Sequence, residues 1–262
     1  MDLNLKGRAV LITGGSKGIG FACAHAFLGE GARVAISSRD PANLDRAAKQ
    51  LADSGYEVAT FPADFIDPTA AVRVVREAEA VIGPIDILVN SAGAAKRAPP
   101  EDLTPEVWRA AMDAKYFTYI HAIDAVIKGM LARGHGVIVN IVGTGGKVAT
   151  PMHLTGGAAN AALMLVSAGL AHTWARHGVR VNAINPGHTH TERTQELLEL
   201  EARMSGRPVA ALREENARRI PIGRYARPAE IADAALFLAS ERSSYITGAI
   251  LTMDGGLNPV VV

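Results

Sequence analysis

The fold is decided by one glycine-rich stretch, which reads Thr13-Gly14-Gly15-Ser16-Lys17-Gly18-Ile19-Gly20. A short apolar run precedes this stretch, and a segment with apolar residues at helical spacing follows it. Glycines at such a turn allow the backbone to approach a pyrophosphate, and the following helix offers free N–H groups and a partial positive charge. A glycine turn between the first strand and the first helix therefore predicts a dinucleotide-binding site.

Short apolar runs alternate with longer amphipathic segments along the rest of the chain. Strands are predicted at residues 9–13, 34–37, 58–63, 85–90, 137–142, 179–185 and 250–253. Helix starts and stops are predicted at the pairs Asp40-Pro41, Asp67-Pro68 and Thr104-Pro105, and near Gly31, Gly55 and Gly83, respectively. The alternation predicts one α/β domain over residues 1–262, a doubly wound parallel sheet (Rossmann fold) of about seven strands with helices on both faces.

The charge of the chain is nearly balanced, with 27 lysines and arginines against 26 aspartates and glutamates. This balance argues against nucleic acid or a membrane surface as the main partner. A single cysteine, Cys23, excludes a disulfide framework and fits a reducing compartment. The first residues lack the order of a signal peptide, and no apolar run is expected to reach membrane-spanning length. We therefore expect a soluble cytoplasmic protein that acts on a small molecule.

The end of the second predicted strand distinguishes NADP(H) from NAD(H). An acidic side chain there would bind the ribose 2′-hydroxyl of NAD, whereas an arginine favours a 2′-phosphate. The sequence has Ser38 and Arg39 at this point, with no acid before Asp40, and Lys17 in the glycine turn is a second cation within reach. NADP(H) is therefore the expected cofactor, with NAD(H) as the alternative.

Further motifs resemble those of the short-chain dehydrogenase/reductase family, in order and at the family's spacing over essentially the whole chain. Beside the glycine turn they are Asp64, Asn90-Ser91-Ala92-Gly93, Arg180-Val181-Asn182, Asn185-Pro186-Gly187 with Thr191, Arg227-Pro228-Ala229-Glu230-Ile231-Ala232, and the segment from Thr247-Gly248 to Asp254-Gly255-Gly256. The resemblance implies a set of cofactor-binding residues. They are Gly14, Ser16, Lys17, Gly18, Ile19, Gly20, Ser38, Arg39, Asp64, Phe65, Asn90, Ala92, Gly93, Asn160, Pro186, Gly187, Thr189 and Thr191.

The resemblance also implies a homo-oligomer, a tetramer or a dimer. Its contacts are expected through residues 105–132, residues 152–177 and the C-terminal strand, with Leu163, Val166 and Leu170 as the apolar face of the second segment. The charged, helical stretch at residues 191–219 is expected to form a mobile lid beside the substrate pocket.

The family's catalytic residues are replaced in this chain. They comprise a tyrosine that donates the proton, a lysine four residues later, a serine about thirteen residues earlier and an asparagine on the preceding helix. The family's Ala-Ala-Leu after the lysine is present as Ala161-Ala162-Leu163 and fixes the alignment. It places Gly156 at the tyrosine, Asn160 at the lysine, Gly143 at the serine and Lys115 at the asparagine. The spacing of the enoyl-reductase variant is also absent, because no lysine follows Lys147.

Lysine and asparagine look exchanged, which makes Lys115 and Asn160 candidates for catalysis. A lysine at position 115 is expected to be desolvated, with a lowered pKa and with Asn160, the ribose hydroxyls or the carbonyl of Asn90 or Ser91 as its partner. The alternative is independent drift, with Lys115 reaching solvent or an interface. Tyr119 lies four residues later on the same helix face, and core or interface packing is its expected role.

Two histidines are candidate proton donors, because histidine titrates near neutrality. His153 precedes Gly156 by three residues, and His188 follows Pro186-Gly187 on the other wall. His188 and His190 together have the spacing of metal ligands, but no third ligand is evident and no metal is expected.

Glycines gather around the predicted pocket. They leave space for something bulky to approach, or they reflect a tolerated cavity or a delayed helix start. They are Gly143, Gly145, Gly146, Gly156 and Gly157.

Three functions remain open at this point. The first is an NADP(H)-linked oxidoreductase that acts on a carbonyl or an alcohol with an altered proton donor. The second is a binding protein that holds the dinucleotide without turnover. The third is a non-redox enzyme, a dehydratase or isomerase, on the same scaffold. Fold alone does not separate them.

Overall fold

The sheet of this protein has seven parallel strands in the order β3-β2-β1-β4-β5-β6-β7, in a computed structural model that describes residues 2–93 and 95–260. The strands are β1 (Ala9–Thr13), β2 (Arg33–Ser38), β3 (Ala59–Pro62), β4 (Ile87–Asn90), β5 (Gly136–Ile141), β6 (Val179–Pro186) and β7 (Ile250–Met253). Every predicted strand is present, with its ends within two residues of the prediction. The predicted doubly wound α/β fold is therefore confirmed.

Helices connect the strands and cover both faces of the sheet. They are α1 (Gly18–Gly29), α2 (Pro41–Asp53), α3 (Pro68–Ile82), α4 (Pro105–Met112), α5 (Thr118–Arg133), α6 (Leu154–Trp174), α7 (Glu192–Ser205), α8 (Val209–Arg218) and α9 (Pro228–Ala239). The predicted caps form: Asp40, Asp67 and Thr104 accept hydrogen bonds from the backbone N–H groups of Ala42, Thr69 and Val107, respectively. These side chains satisfy donors that the first helical turn leaves free.

Two apolar layers hold the helices against the sheet. One face packs α1, α2 and α9, with Phe27 and Leu51 fully buried. The other face packs α3, α5 and α6, with Ile85 and Met130 fully buried. The central strands are apolar on both faces because helices cover them on both sides.

A π-helical turn, Asp113–Phe117, joins α4 and α5 into one long rod. Lys115 lies in this turn and is buried. Such turns are rare and frequently occur at functional sites.

Helix α6 differs from two expectations, that no apolar run reaches membrane-spanning length and that Leu163 faces a second copy of the chain. Together with its flanking turns it spans Pro151–His177, and an 18-residue window reaches a mean hydropathy of 1.4, so the helix is long and apolar enough to cross a membrane by length and composition. Core helices pass the same test, and α6 buries Ala159, Leu163 and Ser167 against the domain. Leu163 was expected on an oligomer face but is wholly inside the core, and Leu165 is the exposed leucine of this helix.

Candidate functional site

The candidate site is a cavity of about 400 Å³ at the carboxyl ends of the strands. It lies where β1 and β4 are neighbours and the direction of winding reverses, which is the position where open α/β sheets bind ligands. A larger cavity, of about 600 Å³, lies at the opposite edge, beside the starts of β4, β5 and β6. We assign the function to the smaller cavity because all four catalytic candidates line it, together with Ile19 of the glycine turn and the predicted cofactor residues Pro186, Gly187, Thr189 and Thr191.

The glycine turn is built for close backbone approach. Gly14 has a φ of +68°, and a Cβ on it would lie 2.7 Å from the Cα of Ala92. A Cβ on Gly20 would overlap the carbonyl oxygen of Gly14. Any side chain at either position would force the turn away from its neighbours, so both glycines are required by the geometry.

The N-terminus of α1 is left open for an anion. Unlike α2, α3, α4 and α7, this helix has no capping side chain, and its first turn contains no acidic residue. Its free N–H groups and the positive end of its dipole therefore face the turn uncompensated. This arrangement fits a phosphate group.

The two cations expected near a 2′-phosphate pair with different carboxylates. Arg39 is exposed beyond the end of β2, with a guanidinium nitrogen 3.9 Å from a carboxylate oxygen of Asp64. The ammonium of Lys17 instead lies 3.2 Å from Glu192, at the start of α7. Ser38 is half-buried beside Arg39, so the end of β2 presents one hydroxyl and one guanidinium.

A buried polar ladder fixes the strand ends beneath the cavity. Thr13 donates to the side-chain oxygen of Asn90 at 3.2 Å, and the amide of Asn90 donates to Asn140 at 3.0 Å. Asn140 continues the ladder to Ser167 on α6 at 2.9 Å. Asn90 and Phe65 are both buried, so neither side chain has surface for a ligand in this structure.

The other predicted cofactor residues lie along the cavity or beside it. Ile19, Gly93, Asn160, Pro186, Gly187, Thr189 and Thr191 line it. A Cβ on Gly18 would lie 3.3 Å from the methyl group of Thr191, so the glycine turn and the start of α7 are in contact. Ser16, close to that contact, is half-buried.

His153 fills the space beside Gly156. A Cβ on Gly156 would lie 2.6 Å from Nε2 and 2.7 Å from Nδ1 of His153, and closer still to the carbon between them. The imidazole therefore stands where the side chain of any other residue at position 156 would leave the helix. His153, Gly156 and Asn160 line the same wall of the cavity.

The imidazole of His153 is held in its neutral form. Burial lowers its pKa below the usual 6.5, and the positive charges of Arg97, Arg193 and Lys115 lower it further. Its Nδ1 is buried without a hydrogen-bond partner among the described residues. A neutral imidazole can accept a proton at pH 7.

Lys115 also lines the cavity, but its partners differ from those expected. Its ammonium donates to the hydroxyl of Tyr119 at 2.8 Å and to the carbonyl oxygen of Ile141 at 3.1 Å. The expected acceptors on Asn160, Asn90 and Ser91 are not used. Burial, and secondarily the charge of Arg193, lowers the pKa of Lys115 to about 7.

Tyr119 has the core position that was expected. It is fully buried among Val142, Leu163 and Ala183, and burial raises the pKa of its phenol well above the usual range. Its hydroxyl donates to the carbonyl oxygen of Ile141, the same acceptor that Lys115 uses.

His188 lines the opposite wall of the cavity. The residue is partly exposed and its ring stacks on Tyr225, with centroids 5.3 Å apart. Partial loss of water, followed by the charge of Arg97, lowers its pKa. His190 is exposed and lies outside the lining. In residues 2–93 and 95–260, no group of three or more histidines, cysteines, aspartates and glutamates could hold a metal ion.

The glycines around the cavity are explained by packing inside the protein. Residues 143–146 lie directly on α6: a Cβ on Gly146 would be 2.7 Å from the backbone nitrogen of Ala161, and one on Gly157 would be 2.7 Å from the carbonyl oxygen of Gly145. Helix α6 already begins at Leu154, so the helix start is not delayed. The bulky group that approaches Gly156 is the ring of His153.

Two arginines of the cavity were missed by the sequence analysis. Arg97 follows the Asn90–Gly93 motif by four residues, and Arg193 follows Thr191 by two. Their closeness to predicted site positions was the available signal. Sequence alone does not tell whether an arginine in such a loop faces solvent or a cavity.

A family model, related sequences and a solved structure agree on the kind of protein that this chain resembles. Residues 14–258 match the family model described as enoyl-(acyl carrier protein) reductase. The chain is 39% identical to galactitol 2-dehydrogenase (L-tagatose-forming) of Cereibacter sphaeroides, over 96% of this chain and 95% of that protein. It is 33% identical to gluconate 5-dehydrogenase of Gluconobacter oxydans, over 97% and 96% of the two chains. The crystal structure of L-sorbose reductase from Gluconobacter frateurii, complexed with NADPH and L-sorbose, superposes with a TM-score of 0.94 at 30% identity and covers 100% of both chains.

Proposed function

Since the chain belongs to the short-chain dehydrogenase/reductase family, we propose that it is an NADP(H)-dependent oxidoreductase that interconverts an alcohol and a carbonyl compound. Its relatives in the comparison are dehydrogenases and reductases of small molecules, and L-sorbose reductase was crystallised with NADPH. In this reaction His153 would transfer the proton, in place of the family's tyrosine.

The glycine turn and the uncapped start of α1 would hold the pyrophosphate of the cofactor. Arg39 would pair with the 2′-phosphate, and Thr189 and Thr191 would line the nicotinamide end. This fit rests on the required glycines at positions 14 and 20 and on the absence of an acid in the first turn of α1. When bound, the nicotinamide supplies or accepts a hydride, and the chain's own residues supply the rest of the chemistry.

One observation carries the assignment of His153: its imidazole occupies the space next to Gly156 that the family's tyrosine would need. A group that moves a proton must lie within hydrogen-bond reach of the substrate oxygen, and His153 lies on the cavity wall beside Asn160. The amide of Asn160 can donate a hydrogen bond to that oxygen. The hydroxyl of Thr144, also in the lining, is a second hydrogen-bond donor.

The charges of the site favour alcohol oxidation. The pKa of His153 is lowered, so the ring is neutral at pH 7 and accepts a proton from an alcohol more readily than it donates one to a ketone. Arg97, Arg193 and Lys115 also stabilise the negative charge that develops on the alcohol oxygen as the proton leaves. Lys115 contributes by its charge and not by direct contact with the substrate, because its ammonium donates hydrogen bonds to Tyr119 and Ile141.

The segment at residues 191–219 forms α7 and α8, joined by a short turn. Thr191, Arg193, Thr194 and Leu197 of this segment line the cavity. We retain the prediction that the segment is a lid over the substrate, because its start contacts both the glycine turn and the cavity.

Turnover with NADP⁺ across a panel of secondary alcohols and hydroxy acids tests the proposed function. We expect the nicotinamide absorbance to change with at least one substrate. We also expect His153→Gln to lower that rate by about 10²-fold or more, the usual contribution of acid–base catalysis. His190→Gln is the matched control, because this histidine is exposed and lies outside the cavity lining. Binding of NADPH with no turnover of any substrate would favour a binding protein. Product formation without a change in nicotinamide absorbance would favour non-redox chemistry.

A further inference from the structure

The charges that line the cavity have one sign. Arg97 and Arg193 contribute cations, Lys115 contributes an amine with a pKa of about 7, and His153 and His188 add two titratable rings. Within the described part of the chain, no aspartate or glutamate lines the cavity. A polar pocket that carries cations and no carboxylate is poorly suited to a neutral ligand, because its charges repel one another until an anion enters.

Arg97 and Arg193 are both exposed, and neither forms a close ion pair with a described residue. Among residues 2–93 and 95–260, no carboxylate oxygen lies within 4.0 Å of either guanidinium. The protein hydrogen bond of Arg193 goes to the carbonyl oxygen of Ala95 at 3.2 Å. Partial loss of water, and then the charge of Arg97, lowers the pKa of Arg193, and the charge of Glu196 opposes this shift in part.

The other arginines of the segment at residues 191–219 lie outside the cavity lining. Arg207, Arg218 and Arg219 each lie within 2.7 Å of a glutamate oxygen. Arg213 donates to the side chain of Gln195, and Arg203 is exposed to solvent. Arg193 is thus the arginine of this segment that faces the cavity, and a cavity whose described lining has arginines and no carboxylate favours an anionic ligand as their partner.

Under the proposed function the phosphates of the dinucleotide would bind at the glycine turn and α1, which leaves Arg97 and Arg193 available for a second anion. The charge of Arg97 lowers the pKa values of His153 and His188, the two rings that border the expected substrate position. Arginine binds a carboxylate through two parallel hydrogen bonds, which fixes orientation as well as charge. Resting on the proposed function, we infer that the substrate is a hydroxy acid, or the matching keto acid, whose carboxylate binds Arg97 and Arg193.

Tartrate and threitol provide a matched pair of probes, because threitol has the same four-carbon diol with hydroxymethyl groups in place of the carboxylates. Each is titrated calorimetrically onto the full chain, with and without saturating NADP⁺. We expect tartrate to bind at least about tenfold more tightly than threitol, and Arg97→Gln and Arg193→Gln each to weaken tartrate by about tenfold. Threitol affinity should not change. Lys96→Gln, an exposed cation in the same loop and outside the lining, is the control and should bind tartrate as the wild type does.

Equal affinity of the wild type for tartrate and threitol would overturn the inference. So would arginine variants that lose NADP⁺ affinity and keep tartrate affinity, because the pair would then serve the cofactor. Failure of NADP⁺ to bind would instead overturn the proposed function, and the titration without cofactor would still report on the arginines.

Discussion

The ammonium of Lys115 lies 2.8 Å from the phenol oxygen of Tyr119, and both groups donate to the carbonyl oxygen of Ile141. Nζ of Lys115 also lies 4.4 Å from the centroid of the Tyr119 ring. A lysine at the floor of the cavity is thus held by the Tyr119 hydroxyl and one shared backbone acceptor, and no carboxylate of residues 2–93 and 95–260 forms an ion pair with it. This arrangement keeps a positive charge near His153 while it makes that charge costly to bury.

We predict that Lys115→Met stabilises the protein most at low pH. The folded pKa of about 7 lies below the unfolded value of 10.5, so between these values the unfolded chain binds more protons and wild-type stability rises with pH. The advantage of the methionine variant over the wild type should shrink by about 1–2 kcal/mol between about pH 6.5 and about pH 8.5. Urea unfolding of both proteins at the two pH values measures this difference.

An exposed lysine provides the control for that experiment. Lys49→Met on α2 removes a lysine whose ammonium pairs with Asp53 at the surface, and its effect should be nearly independent of pH over this range. If the stability difference between Lys115→Met and the wild type were equally independent of pH, the lysine would not be desolvated in the folded protein.

We predict that Gly156→Ala impairs activity without stabilising α6. Alanine normally gains about 1 kcal/mol over glycine inside a helix, but here its Cβ would overlap the ring of His153. The ring must move, and a small displacement of a catalytic group costs about tenfold or more in rate. Turnover and thermal unfolding of the variant measure the two effects.

Gly169→Ala in the same helix is the matched control. A Cβ at this position meets nothing within 4 Å, so we expect a gain of up to about 1 kcal/mol and unchanged turnover. Full activity of Gly156→Ala would show that the position of the His153 ring is unimportant.

We predict that Arg39→Asp shifts cofactor preference from NADP⁺ to NAD⁺. The substitution removes the cation at the end of β2 and supplies the acid that binds a ribose 2′-hydroxyl. The ratio of kcat/KM for the two cofactors should fall by about tenfold or more, the value of one charge-assisted contact. Arg46→Asp, the same charge change on the exposed face of α2, should leave the ratio unchanged. Tighter binding of NAD⁺ than NADP⁺ by the unmodified protein would contradict the cofactor assignment.

The fold was predictable because its signals are local. The caps at Asp40 and Asp67 and the glycine turn specify where helices begin, and the buried strands are continuous apolar runs. The orientation of α6 was less predictable, because Leu163 and Leu165 are the same residue type, yet Leu163 is buried and Leu165 is exposed. Which leucine faces the core depends on the rotation of the helix about its axis, which packing decides.

Oligomerisation stays a prediction, and a substitution of Leu165 can test it. This side chain is 76% exposed on α6, among residues expected to contact a second copy of the chain. Leu165→Glu should shift the sedimentation coefficient toward a smaller species, because burying an unpaired carboxylate at an interface is costly. Val72→Glu on α3 is the control, since it adds the same charge at another exposed position. A wild type that sediments as a monomer at micromolar concentration would contradict the prediction.

The site was only partly predictable. His153 and Lys115 were recognised because they stand at or near positions with a family role. The predicted protein partners of Lys115, on Asn160, Asn90 and Ser91, were wrong, because the π-helical turn and the burial of Tyr119 direct its ammonium toward Ile141. Arg97 was missed because a loop arginine gives no periodic signal.

The central claim is that His153 accepts the proton during alcohol oxidation. The most direct test is the pH profile of kcat/KM for NADP⁺-linked oxidation of the best substrate of the panel, in the wild type and in His153→Gln. Because the pKa of His153 is lowered from 6.5, the wild type should stay active near pH 7 and lose activity only as the pH falls through that lower value. The variant should be slower by about 10²-fold or more at neutral pH and should lack this acid limb. A variant with the rate and the pH profile of the wild type would contradict the account.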